Sequence, residues 1–257
     1  AQQIPVRVIA TMLGVGTDRS DEFVGWVRGF LEQGLTDPAL RIQQRIQILR
    51  FFQEQIADRR ANPREDDLIT DMVQAEVDGQ PVPDDHILGT CFLMLVAGID
   101  TTWSAIGSAL WHMAQHPEHR AQLRGQPELW PSAIEELLRA YSPVTMARVL
   151  TQDVEFHGCP MKGGDRVLMA FPAANRDPEV FENPDDVILD REDNRHLAFG
   201  SGIHRCAGSN LARLELRVAV QTFLERIPEF ELADPDAVTW AGGQVHGPRV
   251  CEVTFPA

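Results

Sequence analysis

Apolar positions recur every three to four residues through most of the first 140 positions, the pattern of amphipathic helices. The segment IPVRVIATMLG (4–14) predicts a helix ending at Gly14, and SDEFVGWVRGFLEQG (20–34) predicts a second. DPALRIQQRIQILRFFQEQIADRR (37–60) reads as a long amphipathic helix with Pro38 in its first turn and a stop at Asn62-Pro63. EDDLITDMVQAEVDG (65–79) predicts a shorter one. Pro83 then opens the longest, DDHILGTCFLMLVAGIDTTWSAIGSALWHMAQH (84–116), which ends before Pro117. At 1.5 Å per residue such a segment is a rod of roughly 46 Å, enough to cross a whole domain. Its centre is apolar nearly all round, so other elements must pack about it. PSAIEELLRAYS (131–142) is a compact helix with Pro131 in its first turn.

Beyond residue 142 the texture changes. ARVLTQDVEFHGCPMKGGDRVLMAFPA (147–173) reads as short strands parted by Gly158 and Gly163-Gly164. An irregular stretch rich in Pro, Asp and Asn (172–195) leads to a cysteine segment, a helix over 209–227 and a C-terminal hairpin (238–255). The expected fold class is mainly α with small β-sheets, in one domain: helical over 1–142, mixed over 143–257.

Composition narrows the partners. The formal net charge of −15 disfavours a nucleic-acid backbone. The apolar run ILGTCFLMLVAGI (87–99) is too short to span a bilayer and stops at Asp100. No signal peptide opens the chain, so the expectation is a cytoplasmic protein with no membrane partner. Cys91, Cys159, Cys206 and Cys251 are widely separated, with no Cys-x-x-Cys pair, which disfavours a structural zinc site and a disulfide framework.

Three constellations carry candidate chemistry. In HLAFGSGIHRCAGSNLARLELRVAV (196–220), Cys206 sits among Gly200, Gly202 and Gly208, just ahead of a helix. An iron-bound thiolate needs stabilisation, which a helix N-terminus gives, and close approach of backbone to a flat macrocycle, which glycine permits. His204 is placed to reach a carboxylate at such a cofactor's edge. The competing reading is a buried free cysteine beside a glycine-rich turn. In AGIDTT (97–102), Ala97-Gly98 opens a groove, the Thr101 hydroxyl can bond the Ala97 carbonyl, and Asp100 adds a carboxylate to an oily segment. That suits proton delivery during oxygen activation, although a back-bonded core threonine with Asp100 reaching solvent would read the same. In AIEELLRAYSPV (133–144), Arg139 is three residues from Glu136 and four from Glu135, so spacing does not choose its partner.

FGSGIHRCAG (199–208) resembles the haem-binding signature of the cytochrome P-450 family, Phe-x-x-Gly-x-His/Arg-x-Cys-x-Gly, at every fixed position. AGIDTT resembles the same family's distal-helix pattern, and EELLR its Glu-x-x-Arg motif. The resemblance runs along essentially the whole chain and is to soluble bacterial members. It implies haem b (iron protoporphyrin IX), with the Cys206 thiolate as proximal ligand promoting O–O cleavage. Around the haem it places Ala97, Gly98, Arg148, Phe199, Gly200, His204, Ala207 and Gly208, with Phe199 packed by the thiolate and with Arg148 and His204 on propionates. Asp100 and Thr101 become the proton-delivering pair, with Thr102 a neighbour. Glu136 and Arg139 become a buried ion pair whose usual third arginine is displaced here by Asp186-Val187, leaving Arg191 as the substitute. Val144, Thr145 and Phe171 are expected near the pocket, and residues 18–60 in its lid.

The implied activity is a haem-thiolate monooxygenase that inserts one atom of dioxygen into a lipophilic small molecule. Its electrons would come from NAD(P)H through a ferredoxin-type carrier received by Arg195, Arg205 and Arg213. Full-length members carry a further upstream part, so the expected fold is N-terminally incomplete. The alternative is a truncated, non-catalytic haem-binding or structural module of the same fold.

Overall fold

The computed structural model describes residues 1–256. Helices α1 (Gln3–Met12), α2 (Ser20–Leu31), α3 (Pro38–Ala61) and α4 (Leu68–Gln74) precede α5 (Asp84–Gln115). After it come α6 (Pro117–Gly125), α7 (Trp130–Ala140), α8 (Phe171–Ala174) and α9 (Ser209–Arg226). Local chemistry sets the ends. Asp37 and Asp67 cap α3 and α4 by accepting the amides of Leu40 and Thr70. Asn62 closes α3, and Gly14 turns the chain after α1 at φ +62°.

The 32-residue α5 is the axis of the molecule. Its first half, from Ile87 to Trp103, is buried in a core shared with α1, α2, α3 and α4. Its second half, from Ile106 to Ala114, enters another core with α7 and α9. The two cores take up successive lengths of the helix, which accounts for most of its apolar positions. One 18-residue window of α5 reaches a mean hydropathy of 1.4, so the whole helix, unlike the run 87–99, is long and apolar enough to cross a membrane. Half of that window is buried inside the protein, the behaviour of a core helix.

All the strands form two-stranded antiparallel pairs. They are β1 (Glu76–Val77) with β2 (Gln80–Pro81), β3 (Met146–Val149) with β6 (Arg166–Met169), and β4 (Val154–Phe156) with β5 (Cys159–Met161). In the tail, β8 (Thr239–Ala241) pairs β9 (Gly247–Val250), and β10 (Val253–Thr254) pairs β7 (Glu231–Leu232).

Three departures from the sequence expectation have local causes. The helix expected over 65–79 stops at Gln74, because Asp78-Gly79, both at positive φ, turns the next residues into the β1–β2 hairpin. Helix α6, started by Pro117, was not expected. The C-terminal hairpin keeps only β8 and β9, since β10 continues past it to β7.

Candidate active site

Cys206 lies in a loop (199–208) that ends at the first turn of α9. Its amide donates to the Phe199 carbonyl (2.9 Å), and the chain bends at Gly200 and Gly202, both at φ +66°. Such backbone is costly for any residue with a Cβ. Residues 201–208 are all exposed, and the Cys206 thiol is free. Ser209 opens α9 three residues on, so the sulfur stands at a helix N-terminus whose partial positive charge favours a thiolate. A Cβ at Gly202 would meet nothing within 4 Å, and one at Gly208 would meet only the Cys206 sulfur, at 3.9 Å. The space before the loop is open.

Two clamps fix this loop and the irregular stretch before it. Arg139 pairs bidentately with Glu136 (Nε to Oε2 and Nη2 to Oε1, each 2.8 Å), and both are fully buried. The same guanidinium donates to the carbonyls of Asn175 (2.8 Å), Pro184 (2.7 Å) and Asp186 (2.8 Å). Glu136 in turn accepts the Ile188 amide (2.8 Å), Arg191 Nε (3.0 Å) and Asn194 Nδ2 (3.0 Å). Burial opposes ionisation of Glu136, but Arg139, the Ile188 amide and Arg191 outweigh it and hold the carboxyl below its ordinary range. One ion pair therefore satisfies four backbone groups of a stretch without regular structure. Arg191 occupies the third position of that network. Glu135 points the other way: it accepts Arg213 Nε (2.6 Å) and Nη2 (2.8 Å) and meets His196 Nε2 (3.0 Å). Burial alone would raise the Glu135 carboxyl, yet these bonds bring it down to about 2. Asn175 links the clamps to the loop by accepting the Leu197 amide (2.7 Å).

On α5, Thr101 Oγ1 donates to the Ala97 carbonyl (2.7 Å). Leu93, Ala97 and Thr101, four residues apart, form an accessible stripe with Leu93 62% exposed. Asp100 faces away from that stripe, since successive helical positions do not share a face. It is buried, accepting Arg249 Nη2 (2.9 Å) and Ser104 Oγ (3.3 Å), while Arg249 Nε also reaches Glu32 (3.0 Å). Burial raises the Asp100 carboxyl above its ordinary range despite Arg249 and Ser104, and Glu32 adds to the rise. Asp100 thus neither reaches solvent nor shares a face with Thr101. Thr102 is buried as well.

The remaining expected residues are placed as follows. Gly98 opens no groove toward a cofactor: a Cβ there would stand 2.7 Å from Ile9 Cδ1, so its missing side chain lets α1 close on α5. The Phe199 ring carries the Arg213 guanidinium at 4.5 Å, a cation–π contact. Of the three arginines expected to receive a carrier, Arg195 is paired with Asp193 (3.0 Å) and Arg213 with Glu135. Arg205 alone of the three has no carboxylate partner among the described residues. Arg148 donates only to the neighbouring Ala147 carbonyl (3.0 Å), and the exposed His204 ring makes no hydrogen bond among the described residues. Ala207 is exposed beside the cysteine. Phe171 approaches the loop, its Cζ 3.9 Å from where a Gly200 Cβ would stand. Val144 and Thr145 are engaged with the C-terminal hairpin, through the Val144–Val245 bridge and the Thr145 amide on the Gln244 carbonyl (3.0 Å).

Sequence reasoning did not find Asn175, His196 or Arg249, and it did not pair Glu135 with Arg213. No spacing signal was available: Glu135 and Arg213 are 78 residues apart, and Asp100 and Arg249 are 149 apart.

Comparison with known proteins agrees with this geometry. The sequence matches the cytochrome P450 family model over residues 26–126 and 124–236. It is 39% identical over 240 residues to a probable cytochrome P450 127A1 of Sinorhizobium fredii, covering 93% of this chain and 57% of that protein. It is 36% identical over 262 residues to a steroid C26-monooxygenase of Mycolicibacterium smegmatis, covering 99% and 65%. The fold superposes on the solved cytochrome P450 PksS of Bacillus subtilis with a TM-score of 0.92 at 35% identity, covering 98% of this chain and 66% of that structure. The chain thus spans less than two thirds of the length of these relatives. With the cysteine loop, the buried Glu136–Arg139 clamp and the fold all in agreement, the chain belongs to the cytochrome P450 family.

Proposed function

We propose that residues 1–257 act as one cytochrome P450 unit that holds haem b through the Cys206 thiolate and serves a monooxygenase. The observation that carries this reading is an exposed, unpaired thiol at a helix N-terminus, in a loop bent by two glycines at positive φ and fixed by buried ion pairs. The donor set fits the group. Arg148 and His204 are cations, or potential cations, without a carboxylate partner among the described residues, as two propionates require. Ile203, 97% exposed, and Leu93 offer apolar surface suited to a flat macrocycle.

When bound, the haem supplies dioxygen activation and oxygen-atom transfer to a C–H bond. The chain's own residues do the rest. The start of α9 stabilises the Cys206 thiolate. Thr101 stands on the accessible stripe of α5, where its hydroxyl holds a water or passes a proton once it leaves the Ala97 carbonyl. Asp100 lies behind Arg249, which bridges it to Glu32, so it takes part in proton exchange only when that pairing opens. The substrate is a lipophilic small molecule, consistent with Leu93 and Phe171 and with the steroid-oxidising relative. Electrons come from NAD(P)H through a ferredoxin-type carrier docking near Arg205, and the protein works in the cytoplasm.

The test is hemin reconstitution followed by a carbon monoxide difference spectrum of the reduced chain. A long-wavelength thiolate band is expected. Absence of haem uptake, or an imidazole-type band, would leave instead a structural module of the same fold.

A further inference from the structure

The sequence His-x-x-x-His-x-x-His runs from the last turn of α5 into α6, outside the cysteine loop. His112 lies in the last turn of α5, His116 caps it, and His119 is in the first turn of α6. Pro117 bends the chain so that the third ring returns to the first two. His112 Nε2 and His119 Nδ1 are 2.8 Å apart, and one ring nitrogen from each histidine lies within 4.8 Å of the other two. The ring centroids are 4.2, 5.0 and 5.2 Å apart.

We infer that His112, His116 and His119 form a site for a divalent transition cation, zinc first, that pins the end of α5 to α6. The proposal is independent of the haem reading. A tetrahedral ion with Zn–N bonds near 2.1 Å separates its ligand nitrogens by roughly 3.4 Å. The His112–His119 contact thus opens by about 0.6 Å to admit an ion, and the third nitrogen closes by at most about 1.4 Å.

The outer contacts suit this role. Tyr141 Oη meets His112 Nδ1 (2.8 Å) and Glu118 Oε1 meets His116 Nδ1 (2.8 Å), which leaves the opposite nitrogen of each ring for the metal. A carboxylate behind a histidine ligand orients the ring and raises its basicity. The Tyr141 hydroxyl can donate to His112 Nδ1 or accept from it, so it partners either tautomer, including the Nδ1–H form that leaves Nε2 for the metal. His112 is buried while His116 and His119 are half-buried, so the ion has an open approach and a fourth position for water. The absence of Cys-x-x-Cys pairs argued only against thiolate zinc sites and does not bear on an imidazole one.

The experiment is calorimetric titration of the chelator-treated full chain with Zn²⁺ at slightly alkaline pH, repeated with Co²⁺ while its visible spectrum is followed. One Zn²⁺ per chain is expected at micromolar affinity or tighter, with the intense visible bands of four-coordinate Co²⁺. His119→Gln and His116→Gln should each weaken binding at least tenfold, and Glu118→Gln by roughly tenfold, as outer-sphere partners do. His157→Gln and Cys159→Ala, exposed and remote, should leave it unchanged. Circular dichroism and the metal-free melting temperature show whether each variant is folded. If a variant does not fold, Zn²⁺ protection of His116 and His119 from diethyl pyrocarbonate in the parent chain decides the matter. No stoichiometric binding by the parent, equal binding by a folded His116→Gln/His119→Gln double variant, or labelling unaffected by Zn²⁺ would overturn the proposal and leave the three rings a hydrogen-bonded structural stack.

Discussion

Replacing Arg139 by lysine keeps the charge and removes the fork. The guanidinium makes two hydrogen bonds to Glu136 and one each to the carbonyls of Asn175, Pro184 and Asp186. An ammonium has three donors on a single nitrogen, so at least two of these acceptors lose their partner. Each unsatisfied buried acceptor costs about 1–3 kcal/mol. With the charge kept and two acceptors unpartnered, the expected loss for Arg139→Lys is about 2–6 kcal/mol, a fall in Tm on the order of 10 °C for a domain of this size. Denaturant melts read the stability. Hydrogen exchange at the Ile188 and Leu197 amides reads the loop directly, because their acceptors are Glu136 and Asn175. The control is Arg60→Lys, whose pair with Asp84 is exposed and worth less than about 1 kcal/mol. A loss below about 1 kcal/mol for Arg139→Lys, with unchanged exchange at both amides, would refute the view that this ion pair holds the irregular stretch.

Other outcomes follow from the buried carboxylates and the α5 stripe. Glu215 lines an apolar groove of about 550 Å³ between α1 and α9, where burial pushes its carboxyl up to about 7 and Oε2 has no partner among the described residues. The folded chain keeps that proton at pH values where the unfolded chain has lost it. Stability should thus fall by about 3 kcal/mol as pH rises from the ordinary glutamate range through the folded value, and Glu215→Gln should flatten this slope in melts across that window. Arg249→Leu leaves Asp100 buried without its cation; because the Asp100 carboxyl is already raised, the destabilisation should be greater at alkaline than at acidic pH, and an equal loss at both would contradict the pairing. Thr101→Ala in the reconstituted protein should keep haem but raise the ratio of oxygen consumed to product formed; an unchanged ratio would remove Thr101 from proton delivery.

Much of this was legible in the sequence because it rests on local chemistry. Pro38, Asn62, Pro83 and Pro131 mark helix ends wherever they stand, and Thr101 meets the Ala97 carbonyl because helical geometry puts position i−4 beneath it. Cys206 was legible for the same reason, with glycines and a helix start within a few residues of it. Long-range partnerships were not. Spacing left Glu135 and Glu136 as equal candidates for Arg139; the family motif picks Glu136, and the fold supplies the reason, turning Glu136 into the core and Glu135 toward Arg213 and His196. Gly98 misled because a glycine records close approach without saying what approaches; here it is Ile9. Asp100 misled because its partner, Arg249, is contributed by a strand 149 residues later.

The central claim is that a single sulfur of this chain carries the haem. Its most direct test compares carbon monoxide difference spectra of the reduced, hemin-loaded chain and of four variants, Cys91→Ala, Cys159→Ala, Cys206→Ala and Cys251→Ala. The expected result is a thiolate-type band in the parent and in three variants, lost only in Cys206→Ala. A band that persists in Cys206→Ala, or that disappears with another cysteine instead, would contradict the account.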